Sequence, residues 1–153
     1  MRASLAMSER PETAPALDQL WAHIRDGMRA AGIAAPDALD RHTDLWTQWR
    51  APDLVLGQTC GLPFRHSLHR ETTLIGTLDY GLPNCAKGHY YSVFLARAND
   101  PPDHISDFDG ASLAYNEPLS QSGWAAAFDQ RRAAGVTLRP ALRTGAPAAS
   151  AQA

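Results

Sequence analysis

Cysteine is scarce in this sequence: Cys60 and Cys85 are the only two in 153 residues. Neither sits in a C-x-x-C pair and no H-x-x-x-H accompanies them, so the ligand spacing of a structural zinc site is missing. The expectation is two free, partly buried thiols. A disulfide between them would need an oxidising compartment. Long apolar runs are missing too. No stretch approaches the ~18 residues of a membrane-spanning helix, which excludes a direct membrane span of that kind. The opening "MRASLAMSERPET" has one Arg and then only four apolar residues broken by Ser. A secretory leader needs an apolar core of about 7–15 residues, so no export leader is expected here. Charge of one sign is not in excess. Fourteen Lys and Arg stand against sixteen Asp and Glu, for a net charge of −2. The basic residues are scattered, which argues against a nucleic-acid face.

What is present suits a globular protein with a real core: 44% hydrophobic and 20% charged residues. "ASLAM" (3–7) reads as a short first strand. "SERPET" supplies helix-start signals, with Pro11 and Glu12 early. Leu17, Leu20, Trp21, Ile24 and Met28 then recur at three- and four-residue spacing, one apolar face of a helix. Gly32 is a left-handed residue suited to stopping it. Leu45, Trp46 and Trp49 suggest a second, short helix. "DLVLGQTCG" (53–61) reads as a buried strand, "TTLIGTLDY" (72–80) as another. "HYYSVFLARA" (89–98), aromatic and β-branched, is the most strand-like segment of all. A Pro/Asp-rich connection, "NDPPDHISDFDG", holds a turn or short helical piece. "ASLAY" is a strand, a helix over 123–134 opens at Ser120 or Ser122, and "VTLRPAL" is a strand. The "RAAG" at 29–32 and at 132–135 ends two helices the same way and is not an extended repeat. Alternating strands and helices give an α/β fold with a mainly parallel sheet flanked by helices. Ligands of such sheets bind beyond the carboxyl ends of the strands, where "QTCG" and "NEPLSQSG" both fall.

"SQSG" (120–123) carries two readings. A helix N-terminus offers unpaired N–H groups and about half a positive charge, and two hydroxyls add donors. Gly123 admits a close approach to the backbone. Together these suit phosphate, phosphonate or carboxylate. Equally, Ser is simply a good N-cap, and the local residues alone favour the cap. Cys60 as a nucleophile would need a positioned His and a helix dipole. "GLP" after it reads as a poor helix start, so no catalytic residue is assigned. His66 and His69 in "RHSLHR" are three apart, but Arg65 and Arg70 would repel a cation. They read as solvated surface, and no metal site is assigned. Tyr90 and Tyr91 would alternate across a strand. The four Trp read as packing, with Trp124 a candidate pocket wall.

The order "DLVLGQTCGLP", "GTLDYGLPNC", "GHYYSVFLARANDP", "DFDGASLAYNEPLSQSGW" and "LRTGAPAAS" resembles the phosphate/phosphite/phosphonate substrate-binding proteins of ABC transporters. These are the phosphonate-binding branch of the type II periplasmic binding-protein fold. The resemblance runs over nearly the whole chain. It implies a solute-binding protein rather than an enzyme, with no cofactor. A small oxyanion would be captured between two lobes by hinge closure and passed to an ABC permease. Residue by residue, Ser120, Gln121, Ser122 and Gly123 would grip the tetrahedral anion. Tyr90 would hydrogen-bond it. Gln58 and Thr59 would lie on the opposite lobe, and Met7 and Ser8 would face the same cleft.

The resemblance also sets expectations for what departs from it. Residues 1–98 would form lobe I, ending in the crossover strand, and 99–153 an incomplete lobe II. The chain would then be a C-terminally truncated member, with sheet edges left unpaired. Relatives commonly carry a His in the turn where "TGAPAAS" has Pro147. The family location is periplasmic, whereas the lack of a leader fits the cytoplasm. The alternative reading is a cytoplasmic module that binds a small metabolite or regulates, completed by another chain.

Overall fold

The computed structural model describes residues 1–99 and 104–152. Residues 100–103, in the Pro/Asp-rich connection, and Ala153 lie outside them. Four strands are present: β1 (Arg2–Ser4), β2 (Leu54–Gly57), β3 (Ser112–Tyr115) and β4 (Arg139–Arg143). The helices are α1 (Ala14–Ala30), α2 (Leu45–Trp49), α3 (Gly61–Pro63), α4 (Ala126–Ala134) and α5 (Pro147–Gln152). A π-helical turn, Phe64–Leu68, continues α3, and another, Gln121–Ala125, leads into α4. The chain is thus mixed α/β. Its strands form two separate parallel pairs, β1–β2 and β3–β4, where one larger sheet was expected.

The contacts group into two units. One comprises Met1–Cys60 with Phe64–Thr72, the other Gly61–Pro63 with Thr73–Ala153. Residues 73–98, assigned from the sequence to the first lobe, therefore group with the C-terminal unit.

The first unit is a parallel pair with a helical crossover. Arg2 stands opposite Leu54, Ala3 opposite Leu56 and Ser4 opposite Gly57. The apolar stripe of α1 does what its spacing predicts. Trp21 is 2% exposed and clusters with Ala3, Leu5, Ala35 and Leu39, while Leu17, Leu20, Ile24 and Met28 pack around them. Gly32, at φ +77°, ends the helix. The Ile33 N–H reaches back to the Met28 carbonyl at 2.9 Å, the bond of a Schellman stop. Gly135, at φ +69°, ends α4 likewise, with the Val136 N–H on the Arg131 carbonyl at 2.9 Å. Asp44 caps α2 by accepting from the Thr47 N–H at 3.1 Å. Buried Gln48 then ties the crossover together, its Nε2 donating to the carbonyls of Asp40 and Thr43.

The second unit repeats the scheme, with β3 and β4 parallel and Tyr115 opposite Arg143. Pro140 lies in β4, an outer strand of its two-stranded sheet, where a missing N–H is tolerated.

Several sequence expectations are corrected. "ASLAM" is a strand only to Ser4, and Ala6–Ser8 turn into a 3₁₀ helix. "GLP" does begin a helical turn, directly after Cys60. "TTLIGTLDY" and "HYYSVFLARA" form no strand. Leu74, Ile75, Val93 and Leu95 are each more than 60% exposed. Tyr90 and Tyr91, expected to alternate between core and surface, are both exposed. β-propensity describes how a side chain fits a pleated, half-buried surface. A segment supplied with no neighbouring strand has nothing to convert that preference into a ladder. Both cysteines are free thiols, partly buried.

Trp21 carries the largest buried side chain of the first core. Trp21→Ala is expected to cost about 3–5 kcal/mol. Urea denaturation followed by far-ultraviolet circular dichroism will show a lowered midpoint or loss of the cooperative transition.

Candidate functional site

In the second unit, β3 runs straight into the turn that opens the helix of residues 121–134. The strand end is pinned across the sheet: Thr144 N–H donates to the Tyr115 carbonyl at 2.9 Å and Gly145 N–H to the Asn116 carbonyl at 3.0 Å. The turn closes when Ser120 N–H donates to the Glu117 carbonyl at 3.0 Å.

Ser120 is the N-cap. Its Oγ accepts from the Gly123 N–H at 3.0 Å and from Asn116 Nδ2 at 3.0 Å. Both side chains are buried, Asn116 at 8% exposure and Ser120 at 5%. The first turn is then wound wide. The Ser120 carbonyl accepts from both Trp124 N–H (3.2 Å) and Ala125 N–H (3.1 Å), which produces the π turn. Such turns occur mostly as single insertions and often at functional sites.

Gly123 is required here by Asn116. A Cβ at position 123 would stand 1.5 Å from Asn116 Oδ1. The open side of the glycine, expected to admit a ligand, is filled by the asparagine amide. Asn116 Oδ1 has no hydrogen-bond partner among the described residues and packs against the glycine backbone.

The groups of "SQSG" therefore divide. Ser120 and Gly123 build the turn. Gln121 lies against Gly61, its Oε1 3.7 Å from where a Cβ there would stand. Ser122 is half-buried, and neither its N–H nor its hydroxyl has a partner among the described residues. It is the donor pair the turn leaves open. Trp124 does form a wall, with its ring 4.6 Å from Tyr115 and 4.1 Å from Phe128, and Arg131 continues the stack 4.3 Å over Phe128.

Asn116, Glu117 and Arg143 were not among the residues singled out from the sequence. Asn116 had a readable signal, an amide four residues before the capping Ser. Arg143 did not, because only the parallel register of β3 and β4 brings it to Glu117. The two side chains form an ion pair, and Glu117 holds the Arg143 guanidinium pKa above its already high ordinary value. On the same edge, Thr144 Oγ1 and Ser150 Oγ are 2.5 Å apart.

The first unit gathers the remaining candidates at its own carboxyl edge. Gln58 and Thr59 follow β2 directly, and Gln58 N–H donates to the Ser4 carbonyl at 2.9 Å. The Gln58 carbonyl accepts the indole N–H of Trp49 at 2.9 Å. Met7, 37% exposed, lies in the 3₁₀ turn after β1. Within this unit, then, Met7, Gln58 and Thr59 fall where the parallel pair ends. Tyr90 belongs to the exposed tract without a ladder.

Among the described residues no three His, Cys, Asp or Glu side chains gather as a metal site, and His66 bonds its neighbour Ser67 at 2.6 Å. No helix among them is long and apolar enough to cross a membrane. No family model matches the sequence, and comparison with curated proteins and with solved structures finds no match.

The contact between positions 116 and 123 sets a test. Gly123→Ala is expected to destabilise the chain by about 1–3 kcal/mol through overpacking. Adding Asn116→Ala should recover part of that loss, since the clash has one source. A double-mutant cycle in urea reads the coupling. A strictly additive pair would refute the contact.

Proposed function

We propose that the chain is a solute-binding protein for a phosphate- or phosphonate-like oxyanion, of the type II periplasmic binding-protein kind, serving an ABC transport system. The observation that carries this reading is the turn at 116–123. A strand end, a buried Ser–Asn clasp and a wide first helical turn leave the N–H and hydroxyl of Ser122 open at a helix N-terminus. Unpaired N–H groups and the helix dipole favour an anion there. The reading joins this geometry to the order of "QTCG", "YYSVF", "YN" and "SQSGW" in the sequence. Within it, Ser122 donates to the anion directly, Ser120 acts by shaping the turn, and Trp124 walls one side. Gln58, Thr59, Met7 and Tyr90 remain candidate contacts from elsewhere in the chain. The permease is the partner that the resemblance implies.

Isothermal calorimetry with inorganic phosphate tests it. Ser122→Ala is expected to weaken binding about tenfold, the scale of one or two charge-assisted hydrogen bonds. Ser120→Ala is expected to weaken binding as well and to cost about 1 kcal/mol of stability as a lost N-cap. Unchanged affinity in Ser122→Ala removes the site assignment.

One observation favours the second reading, a small-metabolite-binding or regulatory module completed by another chain. The strand-like tract at 74–95 exposes Leu74, Ile75, Tyr91, Val93 and Leu95 with no strand beside it. Exposed apolar tracts of this kind mark surfaces that associate. Size-exclusion chromatography with light scattering separates the readings. A stable, well-folded dimer supports completion by another chain, and a monodisperse 16.6 kDa monomer counts against it.

A further inference from the structure

Glu117 opens the turn that presents Ser122, and its side chain lies across the carboxyl edge of the β3–β4 pair. Its Oε1 is 3.9 Å from where a Cβ of Gly145 would stand, and its Oε2 accepts from Arg143 Nη2. The pair is single-pronged. Arg143 Nε and Nη1 have no partner among the described residues, and the side chains are 59% and 40% exposed for Arg143 and Glu117. A carboxylate beside a helix N-terminus competes for the positive potential an anion would use. A guanidinium is a fork of donors matched to oxyanions, and one prong on a carboxylate leaves most of that capacity unused. The same turn holds Asn116, 8% exposed, with its Oδ1 unpartnered among the described residues and facing Gly123. The turn thus gathers polar groups beyond those that capping requires.

We propose that Arg143 is a ligand-binding residue held in reserve by Glu117: an oxyanion arriving at Ser122 takes the guanidinium over from the carboxylate. Glu117 thereby sets specificity. It raises the threshold for anions, because a ligand must outcompete a carboxylate already in place. Groups that accept two donors at once, as phosphate and phosphonate do, compete best. This proposal rests on the oxyanion reading of the same turn.

The test is calorimetry of the full chain with inorganic phosphate and, in parallel, acetate. Arg143→Gln is expected to lower phosphate affinity about tenfold, and Arg143→Lys to restore only part of it, since an ammonium is not a fork. Glu117→Gln is expected to raise phosphate affinity several-fold and to narrow the preference for phosphate over acetate. Melting temperatures of all three variants should stay close to wild type, because an exposed ion pair contributes little to stability. If wild type binds phosphate and Ser122→Ala weakens it, but Arg143→Gln and Glu117→Gln leave it unchanged, the role of the pair is refuted and the oxyanion site stands. A rise in affinity in Arg143→Gln would also refute it. If wild type binds no phosphate, both the site and the proposal fall.

Discussion

Two parallel strands cannot be joined by a tight turn. The chain must travel back along the sheet before it can pair, and the usual vehicle is a helix. That constraint organises both units. In the first, β1 and β2 are separated by α1, the arm at 33–44 and α2. In the second, β3 and β4 are separated by the helix of residues 121–134. A crossover fixes more than connectivity. It sets the end of the leading strand beside the start of the crossover segment, so carbonyl ends and free N–H groups meet on one edge. The turn at 116–123 is that meeting point in its shortest form, four residues between Tyr115 and the cap Ser120 and then the helix itself.

So short a turn must satisfy its own polar groups, and this is where Asn116 matters. The Asn116 carbonyl serves the sheet, accepting from Gly145, while the side chain serves the helix cap. One residue couples strand and helix. The coupling leaves no room for a side chain at 123, and it commits the Ser120 hydroxyl to two donors. The choice between cap and cradle at "SQSG" therefore resolves by residue. Ser120 is a cap, Gly123 is a spacing requirement, and Ser122 is the position whose donors remain open. A stretch that reads as one motif has two jobs, and the division follows from which groups the asparagine occupies.

How much of this was readable from the sequence depends on whether the determining interaction is local. The α1 stripe, the Gly32 and Gly135 stops and the Ser120 cap each depend on residues within a few positions, and their spacing showed them. The strands β2 and β3 were readable because short apolar runs precede turn residues. The tract at 72–98 was misread as two strands because strand character is only half local. "HYYSVFLARA" has the side chains for a ladder, but a ladder needs a partner that no local pattern specifies. "GLP" was misread as a poor helix start because propensity is a weak prior, and a single helical turn continued by a π turn does not need strong formers. Arg143 escaped notice because twenty-six residues separate it from Glu117, and only the register of two strands joins them.

The same distinction bears on what the edge of the second unit can do. Helix-terminus donors alone discriminate poorly among anions, since any negative group lowers its energy there. Selectivity requires a competing group whose cost differs between ligands. A carboxylate already paired with a guanidinium provides such a cost, because a ligand must replace one acceptor by a better one. Phosphate-like groups gain from the forked donor where a single acceptor does not. Ser122 would then supply affinity for anions in general, and the Arg143–Glu117 pair the preference among them. The helix start comes from the crossover constraint and the pair from the strand register, so affinity and preference at this edge would have separate structural origins.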